Sequence, residues 1–450
     1  MKKNNSNDLV KDMTVGTPWK QIIKFFLPLF LGNIFQQLYG VVDTIIVGKG
    51  INDKALAAVG ATGAIQFFIF GFIVGITGGL AIPMANAFGA KDYKRLRKTI
   101  AMATGIVTVL TTILYIISLF YARKLLIQMH TPLDIFDDTL SYLKITLWGM
   151  GIIVFYNFTA FLLRALGDSR TPLIAMIIAS FINIFLDILF VVVIKMGVDG
   201  AAYATLIAQI FSLVFCFIRL RKIDIIRIER DDWKIDLPII KSLLKTGLPV
   251  GLMNSVTAIG VMVLQYFVNG MGTPYAATYS ASMRIVGLFE EPAAAIGLAV
   301  STFSGQNYGA KKYDRIKQGV ISALIITFVM NVIIGLPLIL FPKQLISIML
   351  SDPYNIELAK QILPVAGAFL WSFGFLFVVR PASQGMGFTL VPMTSGILEL
   401  FTRVFAISML GSSLGLLGVA IAEVSAWTAA QIMLMVYFFY VYNKVKKETF

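Results

Sequence analysis

Charge is what this 450-residue sequence is short of: only 14% of its residues are Asp, Glu, Lys or Arg. A soluble domain carries roughly 25%, so the two or three soluble domains that the length would otherwise suggest are excluded. Cysteine is reduced to one residue, Cys216, inside an apolar run, which leaves no disulfide framework and no thiolate metal site. Histidine is also single; His130 stands in a polar stretch and reads as an ordinary surface residue. The sequence contains no GxxxxGK[ST] phosphate loop and no HExxH or CxxC, and its one GxSxG string, GSSLG at 411–415, lies at the end of an apolar span. An ATP-driven pump and the common hydrolases are therefore unsupported, and the expectation is a non-enzyme without a cofactor.

What is abundant is apolar sequence: 58% of the residues are hydrophobic and the mean hydropathy is +0.82. Uncharged runs of the roughly 20 residues needed to cross a bilayer as a helix recur along the chain. They are too long and too uniform for the alternating strands of a membrane barrel. The fold class expected is an all-α polytopic membrane protein with about twelve transmembrane helices. The spans fall near 20–47, 55–83, 99–121, 139–163, 172–194 and 200–218, then near 247–269, 276–302, 318–342, 357–380, 392–411 and 417–442. The N-terminal stretch is polar and runs into a full-length span, so no cleavable signal peptide is expected.

The net charge of +14 would suit nucleic acid, but its distribution argues for topology instead. With the N-terminus inside, 27 of the 38 Lys and Arg fall in the inward segments, among them Lys2, Lys3, Lys91–Lys98, Arg164, Arg219–Lys245 and Lys311–Lys317. That is the positive-inside pattern, and it places both termini in the cytoplasm of a plasma-membrane protein. Anionic membrane lipids, not nucleic acid, are the expected partners of this charge.

The chain repeats itself at an offset of about 220 residues. FGAKDYKRLRK at 88–98 aligns with YGAKKYDRIKQ at 308–318, and Gly167 and Pro172 with Gly387 and Pro392. FLPLF at 26–30 matches GLPVG at 247–251, and Gly200 matches Gly418. Six spans separate the copies, so both halves enter the membrane in the same orientation. The expected domains are an N-terminal six-helix lobe at 1–218, a cytoplasmic linker at 219–245 and a C-terminal six-helix lobe at 246–450. The linker's alternating charge fits an amphipathic surface helix or a plain solvated connection.

Ionisable residues inside spans are costly and point to function. The first half has Asp43 and Asp187, both in the outer half of the bilayer, with Asn183 one turn before Asp187 on the same face. Thr205 begins the sixth span at a compatible depth. Two carboxylates with amide and hydroxyl oxygens suit sodium; the same pair can instead share a proton, or form a packing cluster without any ion. The matching positions of the second half are apolar, near Leu264 and at Ile407. That half has Glu399 and Arg403 four apart, read as a structural ion pair, along with Arg284, Arg380 and Glu423. Glu290 and Glu291, beside Pro292, are weaker candidates for contacts with a cationic substrate in a cleft, with pairing to Arg284 as the alternative.

Taken in order, LP in the first and seventh spans, VDT, ALAAVG, the paired GAK turns, LRALGDSRTP, the NxxxD pair and GAAYAT resemble the MATE (multidrug and toxic compound extrusion) family, close to its DinF-like and MepA-like members. The resemblance covers nearly the whole chain. It implies two six-helix lobes in a V and a secondary active transporter that exports small amphiphilic organic cations against sodium or protons; a monomer is the expected state. It also implies a first-lobe cation site at Asp43, Asn183, Asp187 and Thr205, to which a fourth-span Asn157 would add. The seventh-span acid of another branch is missing between Leu252 and Thr257. The alternative function is a flippase for a lipid-linked sugar, for which the intramembrane arginines are few.

Overall fold

The computed structural model describes residues 10–129 and 131–447, and among these residues every regular element is a helix. His130, Lys2, Lys3 and the first residues of the polar N-terminal stretch lie outside the described residues. Eleven helices are long and apolar enough to cross a membrane, or twelve when the bent pair α4 (Phe136–Trp148) and α5 (Met150–Ala165) is counted as one span. This pair bends by 47° at Gly149, where a Cβ would strike the Leu206 side chain.

The remaining long helices are α1 (Pro18–Gly50), α2 (Asp53–Gly89), α3 (Tyr93–Gln128), α6 (Arg170–Asp187) and α7 (Val198–Leu220), then α8 (Leu237–Gly270), α9 (Thr273–Gly309) and α10 (Tyr313–Leu340). Short α11 (Pro342–Ile346) and α12 (Pro353–Ala359) precede α13 (Leu363–Gly385), α14 (Leu390–Leu414) and α15 (Leu416–Lys447). Their outward faces are apolar, as lipid requires: on α6, Phe181 and Phe185 are each about two-thirds exposed.

The chain forms two compact units. One is Leu27–Gly251 with the chain up to Asp12, and the other is Met13–Phe26 with Leu252–Phe450. The chain changes unit at Asp12/Met13, Phe26/Leu27 and Gly251/Leu252, not at 218 and 246, and the last two of these boundaries lie beside the LP motifs. α1 passes from the second unit to the first at Phe26/Leu27, beside its internal Pro28; α8 passes from the first to the second at Gly251/Leu252, beside Pro249. The start of α8 belongs to the first unit because glycine lets it close on α2. A Cβ on Gly79 would come within 2.6 Å of the Thr246 carbonyl oxygen and 2.7 Å of Gly247 Cα. Small residues of this kind set helix approach in lipid. Gly79→Ala should therefore lower stability by about 1–3 kcal/mol through overpacking, read as a fall in melting temperature of the purified protein.

The repeat is visible in backbone geometry. Lys91 and Lys311 of the paired GAK turns are both left-handed at φ 58°, and Gly167 and Gly387 match at 85° and 89°. The second GAK turn also anchors the N-terminal segment within its unit. Lys312 Nζ donates to the Thr14 carbonyl at 2.9 Å, Arg315 Nη1 to the Gly16 carbonyl at 2.8 Å, and the Met13 amide donates to Gln306 Oε1 at 2.8 Å.

The linker forms no amphipathic helix. It makes two short 3-10 turns, Asp224–Ile226 and Arg230–Trp233, before α8 begins. Ion pairs hold it on the start of α3: Arg97 Nε to Asp232 Oδ2 at 3.1 Å and Lys98 Nζ to Asp236 Oδ2 at 3.4 Å. Its alternating charge serves local pairing, with Asp232 closing a reciprocal cap on Glu229.

Candidate cation site

Within the first unit, α1 approaches α6 closely where it carries glycine: Gly32 lies against Met176, and Gly50 against Val191 and Val192. Between these contacts the helices present Asp43 and Asp187 to each other, and their carboxyls stand within hydrogen-bonding reach. Asp187 is fully buried and Asn183 nearly so. α6 widens into a π-helical turn, Ile188–Val193, directly after Asp187; such local widenings recur at functional positions.

α7 packs along α6 and supplies Thr205, whose Oγ1 accepts from Asn183 Nδ2 at 3.4 Å. The Asn183 amide oxygen is left without a donor. Both oxygens of Asp187 and Oδ1 of Asp43 also receive no N–H or O–H. Four buried acceptor oxygens on three side chains are thus left without a donor. Two facing carboxylates cannot donate to each other, and a proton held between them or a cation is chemically suited to such a place. One turn further on, Val47, Val191, Val198, Ala201 and Ala202 form a dry apolar cluster with Tyr142.

The structure thus brings Asp43, Asn183, Asp187 and Thr205 together. Asn157, on α5, donates its amide to its own helix at the Ile153 carbonyl, 2.9 Å away, and no hydrogen bond among the described residues joins it to the acids. Tyr39 and Tyr142, which both lie in electrostatic range of the two carboxyls, were missed from sequence. Tyr39 had a signal, because it stands one turn before Asp43 on the same helix face; Tyr142 had none, being far away in sequence.

The second unit departs from the simple pair expected there. Arg403 does approach Glu399, at 3.7 Å, but its strong partner is Glu423 on α15, held by Nε at 3.0 Å and Nη2 at 2.8 Å. Glu399 takes a second guanidinium, Arg380 of α13, which also donates to Ser395 at 3.0 Å. Gly260 of α8 leaves room for Arg403, since a Cβ there would lie 2.6 Å from Nη1. Glu290 faces Arg403 and Glu423. Arg284 is exposed and has no ion pair among the described residues. Leu264 and Ile407, the counterparts of Asp43 and Asp187, lie buried in one hydrophobic cluster.

The MatE family profile matches the chain twice, over residues 28–189 and 249–409. The chain belongs to the MATE family of multidrug efflux transporters. The two matches restate the internal repeat, and the first spans Asp43, Asn157, Asn183 and Asp187. The probable multidrug resistance protein YoeA of Bacillus subtilis is 26% identical over 440 residues, covering 95% of this chain and 94% of YoeA. The multidrug export protein MepA of Staphylococcus saprophyticus is 25% identical over 387 residues, or 84% of this chain and 85% of MepA. A crystallised MATE transporter in complex with MaL6 superimposes with a TM-score of 0.91 at 24% identity, covering 97% of this chain and 99% of the other. This MATE protein is accordingly a multi-pass membrane transporter with the MATE fold, of a family that moves molecules rather than transforming them.

Proposed function

We propose that this MATE protein is an antiporter of the plasma membrane, with both termini cytoplasmic, that exports small amphiphilic cations in exchange for sodium or protons bound at Asp43, Asn183, Asp187 and Thr205. The observation that carries the proposal is the set of donor-free buried oxygens on Asp43, Asn183 and Asp187. Names borne by relatives, multidrug resistance and multidrug export, support the substrate class.

Binding of a cation between Asp43 and Asp187 removes their mutual repulsion and lets α1 and α6 close. Leaving the site empty favours their separation. A substrate that binds better to one of these two packings is released by the ion that favours the other, because linkage between two ligands is reciprocal. No chemical step is required. The protein acts as a monomer surrounded by lipid, and Glu290 and Glu291 remain candidates for contact with a cationic substrate.

The test is ethidium efflux from liposomes containing the purified protein, with a sodium gradient and a proton gradient imposed separately. Efflux under one of them identifies the coupling ion. Efflux under neither, with flipping of a lipid-linked sugar in the same vesicles, would replace the antiporter by a flippase.

A further inference from the structure

The ion pairs of the linker leave an alternating pattern of apolar side chains exposed. Asp232 pairs with Arg97 and Asp236 with Lys98, and Lys234 Nζ meets Asp231 Oδ1 at 2.8 Å. The residues that alternate with them, Trp233, Ile235 and Leu237, are 52%, 79% and 70% exposed. An exposed apolar patch rimmed by charge marks a surface on which something apolar lands. The uncharged run of α3 begins directly after Lys98, and that of α8 directly after Lys245. The linker therefore stands at the boundary between water and hydrocarbon, where tryptophan is enriched. Leu237 and Leu248 lie about three turns apart on one face of α8. Leu248 is exposed as well, so the apolar surface continues from the patch toward the membrane interior.

Beside this patch, the starts of α3 and α8 flank a cavity of about 360 Å³. Lys94, Arg95, Lys98, Asp92 and Asp236 line it, with the first turn of α8 as its apolar wall. Both acids are already engaged. Asp92 Oδ1 accepts the Arg95 backbone amide at 3.0 Å, and Asp236 takes the Ile239 amide at 3.2 Å besides Lys98 Nζ. The side chains of Lys94 and Arg95 have no ion pair among the described residues. Lys94 and Lys98 stand one turn apart, so both present to the same face of α3. Three cations against two carboxylates leave the cavity with one positive charge in excess. A phosphodiester carries the single negative charge that matches it. A doubly charged free phosphate exceeds it and has no use for the apolar patch.

We propose that this cavity binds the phosphodiester of an anionic membrane lipid through Lys94, Arg95 and Lys98, while Trp233, Ile235 and Leu237 enter the acyl boundary beside it. The occupant is a lipid of the phosphatidylglycerol type, with a singly charged headgroup for the cavity and hydrocarbon for the patch. A zwitterionic lipid brings its own cation, which Lys94 and Arg95 repel. Basic residues elsewhere, such as Lys444 and Lys447 at the end of α15, attract anionic lipid only through their potential. Here cavity and patch engage both ends of one molecule. The bound lipid joins α3 to the linker, in parallel with the pairs Arg97–Asp232 and Lys98–Asp236. The inference stands independently of which ion and which substrate the protein exchanges.

The experiment reads quenching of Trp233 fluorescence by brominated lipid in vesicles containing the full chain. The Trp233 signal is the difference between the wild type and Trp233→Phe. One set of vesicles is phosphatidylcholine with a minor fraction of phosphatidylglycerol brominated on its chains. The other has the same composition, with the bromine on an equal fraction of phosphatidylcholine. Stronger quenching by brominated phosphatidylglycerol is the expected result. That preference should fall on the order of fivefold for each charge removed in Lys94→Gln and Lys94→Gln/Arg95→Gln. Lys444→Gln/Lys447→Gln, which removes two charges elsewhere, should keep it. Equal quenching by the two lipids, or none by either, would overturn the proposal. So would a loss of preference in Lys444→Gln/Lys447→Gln as large as in Lys94→Gln/Arg95→Gln. Added inorganic phosphate should leave the preference intact; its disappearance would assign a site for free anions and reject the lipid. If Lys94→Gln/Arg95→Gln fails to elute as a folded protein, Lys94→Gln alone decides, and an unchanged preference in it rejects the site.

Discussion

Asp187→Asn should abolish gradient-driven export while leaving the protein folded. The side chain is fully buried and neither carboxyl oxygen has a donor, so its charge contributes nothing to stability that an amide would forfeit. The amide brings a donor that Asp43 lacks. The melting temperature of the variant should be equal to or above that of the wild type, because the like-charge contact between α1 and α6 is replaced by a hydrogen bond. Coupling should nonetheless disappear, since a single remaining carboxylate holds neither a shared proton nor a well-balanced sodium ion. Coupling free energies between two ligands are commonly 1–3 kcal/mol; losing one at the upper end lowers ion-driven efflux on the order of 100-fold. The measurement is initial efflux rate in liposomes under each ion gradient, beside thermal melting of the same preparations. Wild-type efflux in a folded Asp187→Asn protein would remove Asp187 from the coupling site.

That site was legible in the sequence to the extent that each of its members is unusual where it stands. Asp43 and Asp187 are charges within apolar spans, and Asn183 shares a face with Asp187 by helical spacing alone. Thr205 required the further step of judging depth from the opposite end of its span. Tyr142 could not be found this way, because nothing local ties α4 to α1. Asn157 shows the converse: polarity inside a span was satisfied by the residue's own helix, a common outcome for Asn and Thr that sequence spacing does not reveal.

The fold was legible in its span count and in its repeat, for hydropathy fixes length and the GAK turns fix register. The handover points at Phe26/Leu27 and Gly251/Leu252 were not, although both sit beside the LP motifs that announced the repeat. Whether a helix stays with one unit depends on close approaches such as Gly79 to Thr246, which are long-range facts. The linker's alternating charge left an amphipathic helix and a plain solvated connection both open. Alternating charge marks an amphipathic helix only when no partner lies nearby, and here Arg97 and Lys98 draw the acids of the linker onto α3.

In the second unit, the i,i+4 pair Glu399–Arg403 was visible in sequence, but the stronger pairing of Arg403 with Glu423 was not, and it leads to the second large expected effect. Glu423→Gln removes a carboxylate held by two guanidinium N–H groups at 2.8 and 3.0 Å and leaves Arg403 buried with only the longer contact to Glu399. Breaking one side of a buried ion pair costs about 3–5 kcal/mol. The double variant Arg403→Met/Glu423→Leu should recover most of that loss, because apolar side chains of similar volume avoid the desolvation that the pair must overcome. The corresponding change in the first unit, Thr205→Val, removes only a neutral hydrogen bond 3.4 Å long and should cost about 1 kcal/mol or less. Denaturant titration of the four proteins in the same detergent gives the comparison. A Glu423→Gln loss no larger than that of Thr205→Val would mean that Arg403 re-pairs fully with Glu290 or Glu399, and the network would then be adaptable, not fixed. The two units, built on one pattern, should respond to removal of a matched bond in proportion to the charge that each has placed there.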